Sequence, residues 1–352
     1  LPAPAGRGGK CRGGMVQESI SRGGMHCRDG LSGGDPESAM DDDHEISPDP
    51  EPRRTRQMRP AIATGVREDD IANLRGNYLL SFGFPGSGKT TFQWFMMNYL
   101  MNYGPFQTEI AVPDREDGPD WEGRRIINEW KELWLEGRFP DPTAESEDDI
   151  REVGCRVKPV EGERTPLEFS FLEVSGELMR TVIPNMDANP QLVRPLRAYL
   201  ENDKLRLVLM LLLHPDVAEN DQLFPSFITF LDKEFPGLRE RMSLGIIISK
   251  PEESLQKLRA LGSLHGRTDY QSFSDPEAVE DYVETFAPET YRAWDQWPAP
   301  KKTMMSKLHL GRISWTAGDH NLEKADFRDV SRIFGWTYTQ FTGRQLGQTF
   351  LQ

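Results

Sequence analysis

NYLLSFGFPGSGKTTF, residues 77–92, runs from an apolar stretch through a glycine-rich turn into an amphipathic segment. Gly83 is followed by Phe84, Pro85, Gly86 and Ser87, then by Gly88, Lys89, Thr90 and Thr91, which satisfies the spacing G-x-x-x-x-G-K-[ST]. The flanks matter as much as the letters. An expected strand ends at Phe82, and Trp94, Phe95 and Met97 follow on an expected helix. Phosphate binding needs strand, loop and helix in that order. Glycines let backbone N–H groups turn inward at the positive end of a helix. Lys89 is placed to bridge β- and γ-phosphate oxygens, and the Thr90 hydroxyl to ligate magnesium. The stretch reads as a nucleotide site.

Outward from this loop, short apolar runs alternate with longer amphipathic ones, the pattern of an α/β fold with a mostly parallel sheet covered by helices. Strands are expected at 77–83, 152–160, 167–174, 205–213, 242–249 and 305–314, six in all. LRLVLMLLL (205–213) and MSLGIIIS (242–249) are apolar at nearly every position, as central strands buried on both faces should be. The second and third strands flank the polar turn EGER and are expected to form an antiparallel hairpin. Helices are expected at 89–102, 122–136, 191–201, 221–234, 253–261, 276–295 and 324–335. Residues 104–150 form a long insertion whose Ile126, Ile127, Trp130 and Trp134 fall on one helical stripe, expected to dock on the domain's own core.

The 352 residues carry 56 acidic against 42 basic side chains, a formal charge of -14, which argues against nonspecific nucleic-acid binding over the whole surface. Residues 1–60 are rich in Gly, Pro, Ser and Arg without apolar periodicity and read as disordered, so residues 1–74 are assigned to an N-terminal arm and linker and 75–352 to the nucleotide-binding domain. The chain opens on Leu1 with no secretory signal, and its natural start is expected upstream or at an internal Met. Cys11, Cys27 and Cys155 are odd in number and widely spaced, so a disulfide framework is excluded and a cytoplasmic location expected. The longest apolar run falls far short of the ~20 residues of a membrane helix. Neither His214 nor His26 has a partner at metal-ligand spacing.

Phosphoryl transfer also needs a carboxylate on the magnesium, commonly at the end of a neighbouring strand. LEFSFLEVSGE (167–177) supplies Glu173 there, followed by Val174, Ser175, Gly176 and Glu177. Ser249-Lys250-Pro251-Glu252 ends the fifth expected strand, Pro142-Thr143 precedes the second, and Thr316-Ala317-Gly318 follows the last. In this order the five elements resemble those of the Ras-like GTPase superfamily, across about 77–318. The wide spacing and the 104–150 insertion look closer to the bacterial double-GTPase-like group, whose members are inferred to be switches for associated effector systems.

The resemblance implies a three-layer α/β/α P-loop NTPase G domain that binds GTP or GDP with Mg2+. By the same resemblance Glu173 stands for the acidic residue that holds magnesium through water, and Thr143 for the switch threonine. Gly176 senses the γ-phosphate, and Glu177 occupies the place of the glutamine that orients attacking water. Ser249, Lys250 and Glu252 stand for the guanine element, with the acid accepting two hydrogen bonds from the base edge, and Thr316 and Ala317 for the turn that caps it. A switch with slow hydrolysis and a protein effector or activating partner follows from the family. A catalytically silent nucleotide-binding scaffold and an ATP-using P-loop enzyme stay open beside it.

Overall fold

The computed structural model describes residues 68–111, 120–141, 150–161, 165–174, 190–214, 217–254, 276–297, 303–316 and 319–347. The chain divides into two units, Leu1–Met58 and Arg59–Gln352, and the description concerns the second. Its described strands are β1 Gly76–Phe82, β2 Phe106–Ile110, β3 Arg151–Pro159, β4 Leu167–Glu173, β5 Leu205–Leu213, β6 Met242–Ile248, β7 Thr303–Lys307, β8 Gly311–Thr316 and β9 Asp319–Ala325. Its helices are α1 Glu68–Asn73, α2 Lys89–Asn98, α3 Asp120–Leu135, α4 Pro190–Glu201, α5 Val217–Glu234, α6 Leu238–Arg241, α7 Pro276–Phe286, α8 Pro288–Asp295 and α9 Arg328–Thr342.

Seven strands form one sheet in the order β2-β3-β4-β1-β5-β6-β7. From β4 to β7 all neighbours are parallel, whereas β3 pairs antiparallel with both β4 and β2. β3 and β4 are the hairpin expected around EGER. β5 lies at the centre and alternates strictly: Leu205, Leu207, Leu209, Leu211 and Leu213 enter one core, Val208, Met210 and Leu212 the other. A strand buried on both faces has no polar side to spare, which is why LRLVLMLLL carries one charge in nine residues. Helices α1, α4, α5 and α7 fill the first core with Ile71, Tyr199, Phe224, Phe227 and Tyr282. Helices α2, α3 and α9 fill the second with Phe92, Trp94, Ile127, Phe334 and Tyr338. Helices therefore cover both faces.

Several expectations are corrected. The sheet has seven strands rather than six, because FQTEI inside the 104–150 insertion adds to the outer edge of β3, Phe106 opposite Pro159 and Ile110 opposite Cys155. The strand expected at 305–314 is two: β7 ends the sheet at Lys307, and after Leu308-His309-Leu310 the chain enters β8, which among the described residues pairs only with β9. Gly311 marks the break, with φ +121 and the Lys324 carbonyl where a side chain would begin. The helix expected at 324–335 starts instead at Arg328 and runs to Thr342, where Gly343 stops it in a left-handed conformation, φ +71. The helix expected at 276–295 is cut at Ala287, because Pro288 lacks the N–H an uninterrupted helix needs and opens α8 instead. The helix expected at 89–102 leaves α geometry after Asn98, and Tyr99–Tyr103 forms a π-helical turn. Within the span assigned to the arm and linker, Glu68–Asn73 is helical and Ile71 fully buried. Of the helix expected at 253–261, residues 251–254 form a helical turn and the rest lies outside the described residues.

The insertion's apolar stripe does face the core. Ile126, Ile127 and Trp130 are buried, and Trp94 Nε1 donates to the Trp130 carbonyl at 3.1 Å. Among the described residues no helix is long and apolar enough to cross a membrane.

Candidate functional site

The chain leaves β1 to build β2, β3 and β4 on one side, then returns to build β5, β6 and β7 on the other. β1 is thus the point where the winding reverses, and in open α/β sheets ligands bind beyond the carboxyl ends of the strands at such a point. Residues 83–91 lie there, directly after β1.

Gly83 starts the turn in a gap that admits no side chain: a Cβ would lie 2.5 Å from Ser87 Oγ and 2.8 Å from the Leu212 carbonyl. Phe84 is buried, whereas Pro85 and Gly86 are exposed. The Ser87 N–H closes a turn onto the Phe84 carbonyl at 3.1 Å. Gly86 (φ +75) and Gly88 (φ +83) adopt left-handed conformations that other residues resist, with open space on their Cβ side. α2 then begins at Lys89 with neither a side-chain cap nor an acidic residue in its first turn. Its leading N–H groups form the positive end of the helix dipole.

Lys89 is 7% exposed, so its ammonium depends on acceptors. It donates to the loop's own carbonyls, Gly83 O at 2.9 Å and Phe84 O at 3.1 Å. Thr90, next on α2, donates its hydroxyl to Oε1 of Glu173. Glu173 is buried at the end of β4, brought beside β1 by the register that sets it against Ser81. Ser87 Oγ is buried and makes no hydrogen bond among the described residues.

This donor set suits a phosphate chain with a hard cation. Main-chain amides and one ammonium complement phosphate oxygens, and a hydroxyl beside a carboxylate offers the oxygen ligands magnesium prefers. No group of three His, Cys, Asp or Glu gathers to hold a metal among the described residues. Magnesium at nucleotide sites commonly takes only one or two protein oxygens, with water and phosphate supplying the rest.

A second cluster occupies the same edge beyond β5, β6 and β7. Ser249 follows β6 and donates through both N–H and Oγ to the Leu213 carbonyl, each at 3.0 Å. Lys250 is the one non-glycine with positive φ among the described residues, at +48. Its Nζ lies 3.3 Å from Nε2 of His214, which directly follows β5. Glu252 Oε1 meets His309 Nδ1 at 2.5 Å. The Asp329 carboxylate accepts from the His309 N–H at 3.0 Å and from the buried Lys307 ammonium at 2.8 Å.

The fold thus brings Gly83–Thr91 together with Glu173, and Ser249, Lys250 and Glu252 onto the same sheet edge. It does not place Thr316 at the end of the last parallel strand. That position belongs to Lys307-Leu308-His309, while Thr316 ends β8 in the separate hairpin, opposite Asp319. Ala317, Thr143, Gly176 and Glu177 lie outside the described residues. Sequence reasoning missed His214, His309 and Asp329, whose roles depend on partners 20 to 57 residues away. The signal available was His214 ending an apolar strand.

No family model matches the chain. No curated protein sequence matches it. Among solved structures it is similar to the signal recognition particle receptor SRb-GTP/SRX complex from Chaetomium thermophilum, with 12% identity over 67% of this chain and 90% of that chain and a TM-score of 0.27.

Proposed function

We propose that this chain binds a guanine nucleoside triphosphate with magnesium and acts as a nucleotide-dependent switch with slow hydrolysis. The observation that carries the reading is the phosphate loop itself: two left-handed glycines, a buried Lys89 on loop carbonyls, and Thr90 bonded to Glu173 across from β4. Separately, each feature has ordinary structural uses. Together they match a triphosphate tail at the point where the winding reverses.

In this reading the amides of Gly83–Thr91 hold the β-phosphate, and Lys89 exchanges its two carbonyl partners for phosphate oxygens. Thr90 and Glu173, with Thr143 from the segment before β3, would hold the cation. Magnesium would neutralise charge shared by the β- and γ-oxygens. By the same reading Gly176 would report the γ-phosphate through its N–H and so couple nucleotide state to the segment that follows β4. By the resemblance Glu177 takes the place of the glutamine that orients attacking water, and a carboxylate in that role would repel the γ-phosphate and keep intrinsic turnover slow. A protein partner that supplies positive charge accelerates it, and the same kind of partner reads the switch. Lys250 packs its stem over the base, and Glu252 accepts from the base edge.

Lys89→Ala tests the first half: affinity for labelled GTP should fall at least a hundredfold while the circular dichroism spectrum is kept. Unchanged affinity removes the phosphate-loop reading. Glu252→Ala should bring GTP and ATP affinities together, and equal competition by the two nucleotides in the unaltered protein removes the guanine reading. A second reading, a silent scaffold, is favoured by Glu173, Glu177 and Glu252, acids one methylene longer than the aspartates, or charged where the glutamine is neutral, in the elements they resemble. Single-turnover phosphate release separates the two: none with GTP and magnesium, even with saturating nucleotide, selects the scaffold.

A further inference from the structure

We propose that His309 is the positioning residue for the base-reading carboxylate, clamping Glu252 so that its free oxygen edge faces a guanine. The proposal rests on the reading of Glu252 as the base-recognising acid and goes beyond it to what gives that acid its aim.

The problem His309 solves is one of reach. Glu252 is half exposed and follows Pro251 on a short helical turn, so its longer side chain has one more rotatable bond than an aspartate would have. A carboxylate that must be frozen when the base arrives loses affinity, by a factor of about 2 to 12 for one rotamer-rich side chain. His309 removes that freedom beforehand. Its Nδ1 is 2.5 Å from Glu252 Oε1. With the carboxylate ionised, this bond requires the hydrogen on Nδ1.

His309 can act as a clamp because its own backbone is held on two sides. Leu308 donates its N–H to the Ile248 carbonyl at 2.9 Å, which carries the β6–β7 ladder one residue beyond the strand. His309 N–H is bound to Asp329 at 3.0 Å, and Asp329 is fixed in turn by Lys307, both of them buried. The ring is one-fifth exposed, against half for Glu252, so the better-anchored partner is the histidine.

The clamp leaves the reading edge open. An ionised carboxylate offers about four lone-pair sites on two oxygens. A guanine N1–H and N2–H pair takes one site on each oxygen, and His309 uses another on Oε1. Lys250 is steadied likewise from the other neighbouring strand, by His214 at 3.3 Å. A histidine just beyond the end of each flanking strand thus holds one side chain of the base element.

The test uses the whole chain, calorimetry and three nucleotides with magnesium: GTP, inosine triphosphate, which lacks the 2-amino group, and ATP. His309→Phe keeps an aromatic ring without a donor, and His309→Ala serves if the larger ring prevents folding. Either variant should weaken GTP about five- to tenfold, shrink the GTP-to-inosine-triphosphate ratio toward one and leave ATP affinity unchanged. His309→Gln, which restores an N–H donor, should recover most of the ratio. A purely packing role would weaken all three nucleotides alike and overturn the proposal. If the unaltered protein prefers GTP and His309→Phe keeps the full ratio, the clamp is wrong while the guanine reading stands. Equal binding of GTP and ATP by the unaltered protein overturns both.

Discussion

Gly83 has a backbone oxygen on one side and a serine hydroxyl on the other, and only the serine can move. Gly83→Ala must therefore push the loop away from the end of β5, at a cost of about 1–3 kcal/mol for an overpacked site. The expected outcome is a lower urea midpoint together with a nucleotide affinity reduced well beyond the stability loss. Calorimetry on the folded variant checks it. Cys155 shows the opposite kind of residue. It is wholly buried in β3, and burial pushes its thiol well above the ordinary range, so the nucleophilic thiolate is suppressed. Iodoacetamide at neutral pH should modify Cys155 only after unfolding, as read by peptide mass.

At the scale of elements, the tie between β7 and α9 decides how the far edge of the sheet is held. Lys307 and Asp329 are 4% and 6% exposed, and Asp329 also lies in the first turn of α9, where a negative charge is favoured. Removing one member of a buried pair leaves the other uncompensated, so Asp329→Asn should cost about 3–5 kcal/mol, measured by urea unfolding. Replacing both by leucine should cost much less. At the start of α9, the Arg328 side chain holds the Asp326 carboxyl below the ordinary aspartate range, first through its hydrogen bonds, against a partial burial that acts the other way. A depressed folded value stabilises above the unfolded pKa, about 3.9, and that contribution disappears as pH falls through the folded value. Asp326→Asn should therefore lower stability near neutral pH and leave it unchanged in strong acid, so the unfolding midpoints of the two proteins converge as the pH falls.

The same elements show which features could be read from the chain. Gly83–Thr90 was legible because its chemistry is local: eight adjacent residues make the turn, the charge and the helix start. Glu173 was legible because it ends an apolar strand. β2 escaped because a five-residue FQTEI gains its meaning only from β3, some 45 residues later. The hairpin β8–β9 escaped because GRISWT continues the apolar character of β7, and the break between them is only Leu308-His309-Leu310 and the positive φ of Gly311. His309 was invisible for a similar reason. Its partner Glu252 lies 57 residues away, and no spacing rule links them.

For the whole molecule, a site built from loop, helix and neighbouring strand couples ligand to global stability. Binding to the folded state alone stabilises by about 2.7 kcal/mol at a hundredfold excess over the dissociation constant. GTP with magnesium should thus raise the unfolding temperature by several degrees, and the rise should vanish in Lys89→Ala. Scanning calorimetry with and without magnesium reads both effects.

The two outermost strands, β2 and β7, have five residues each, fewer than any strand between them. A sheet that tapers at both margins gives a passing copy little backbone to zip onto, and short rims are one way proteins resist fibril growth. Recovery of native protein after dilution from urea should therefore stay nearly constant as the concentration is raised.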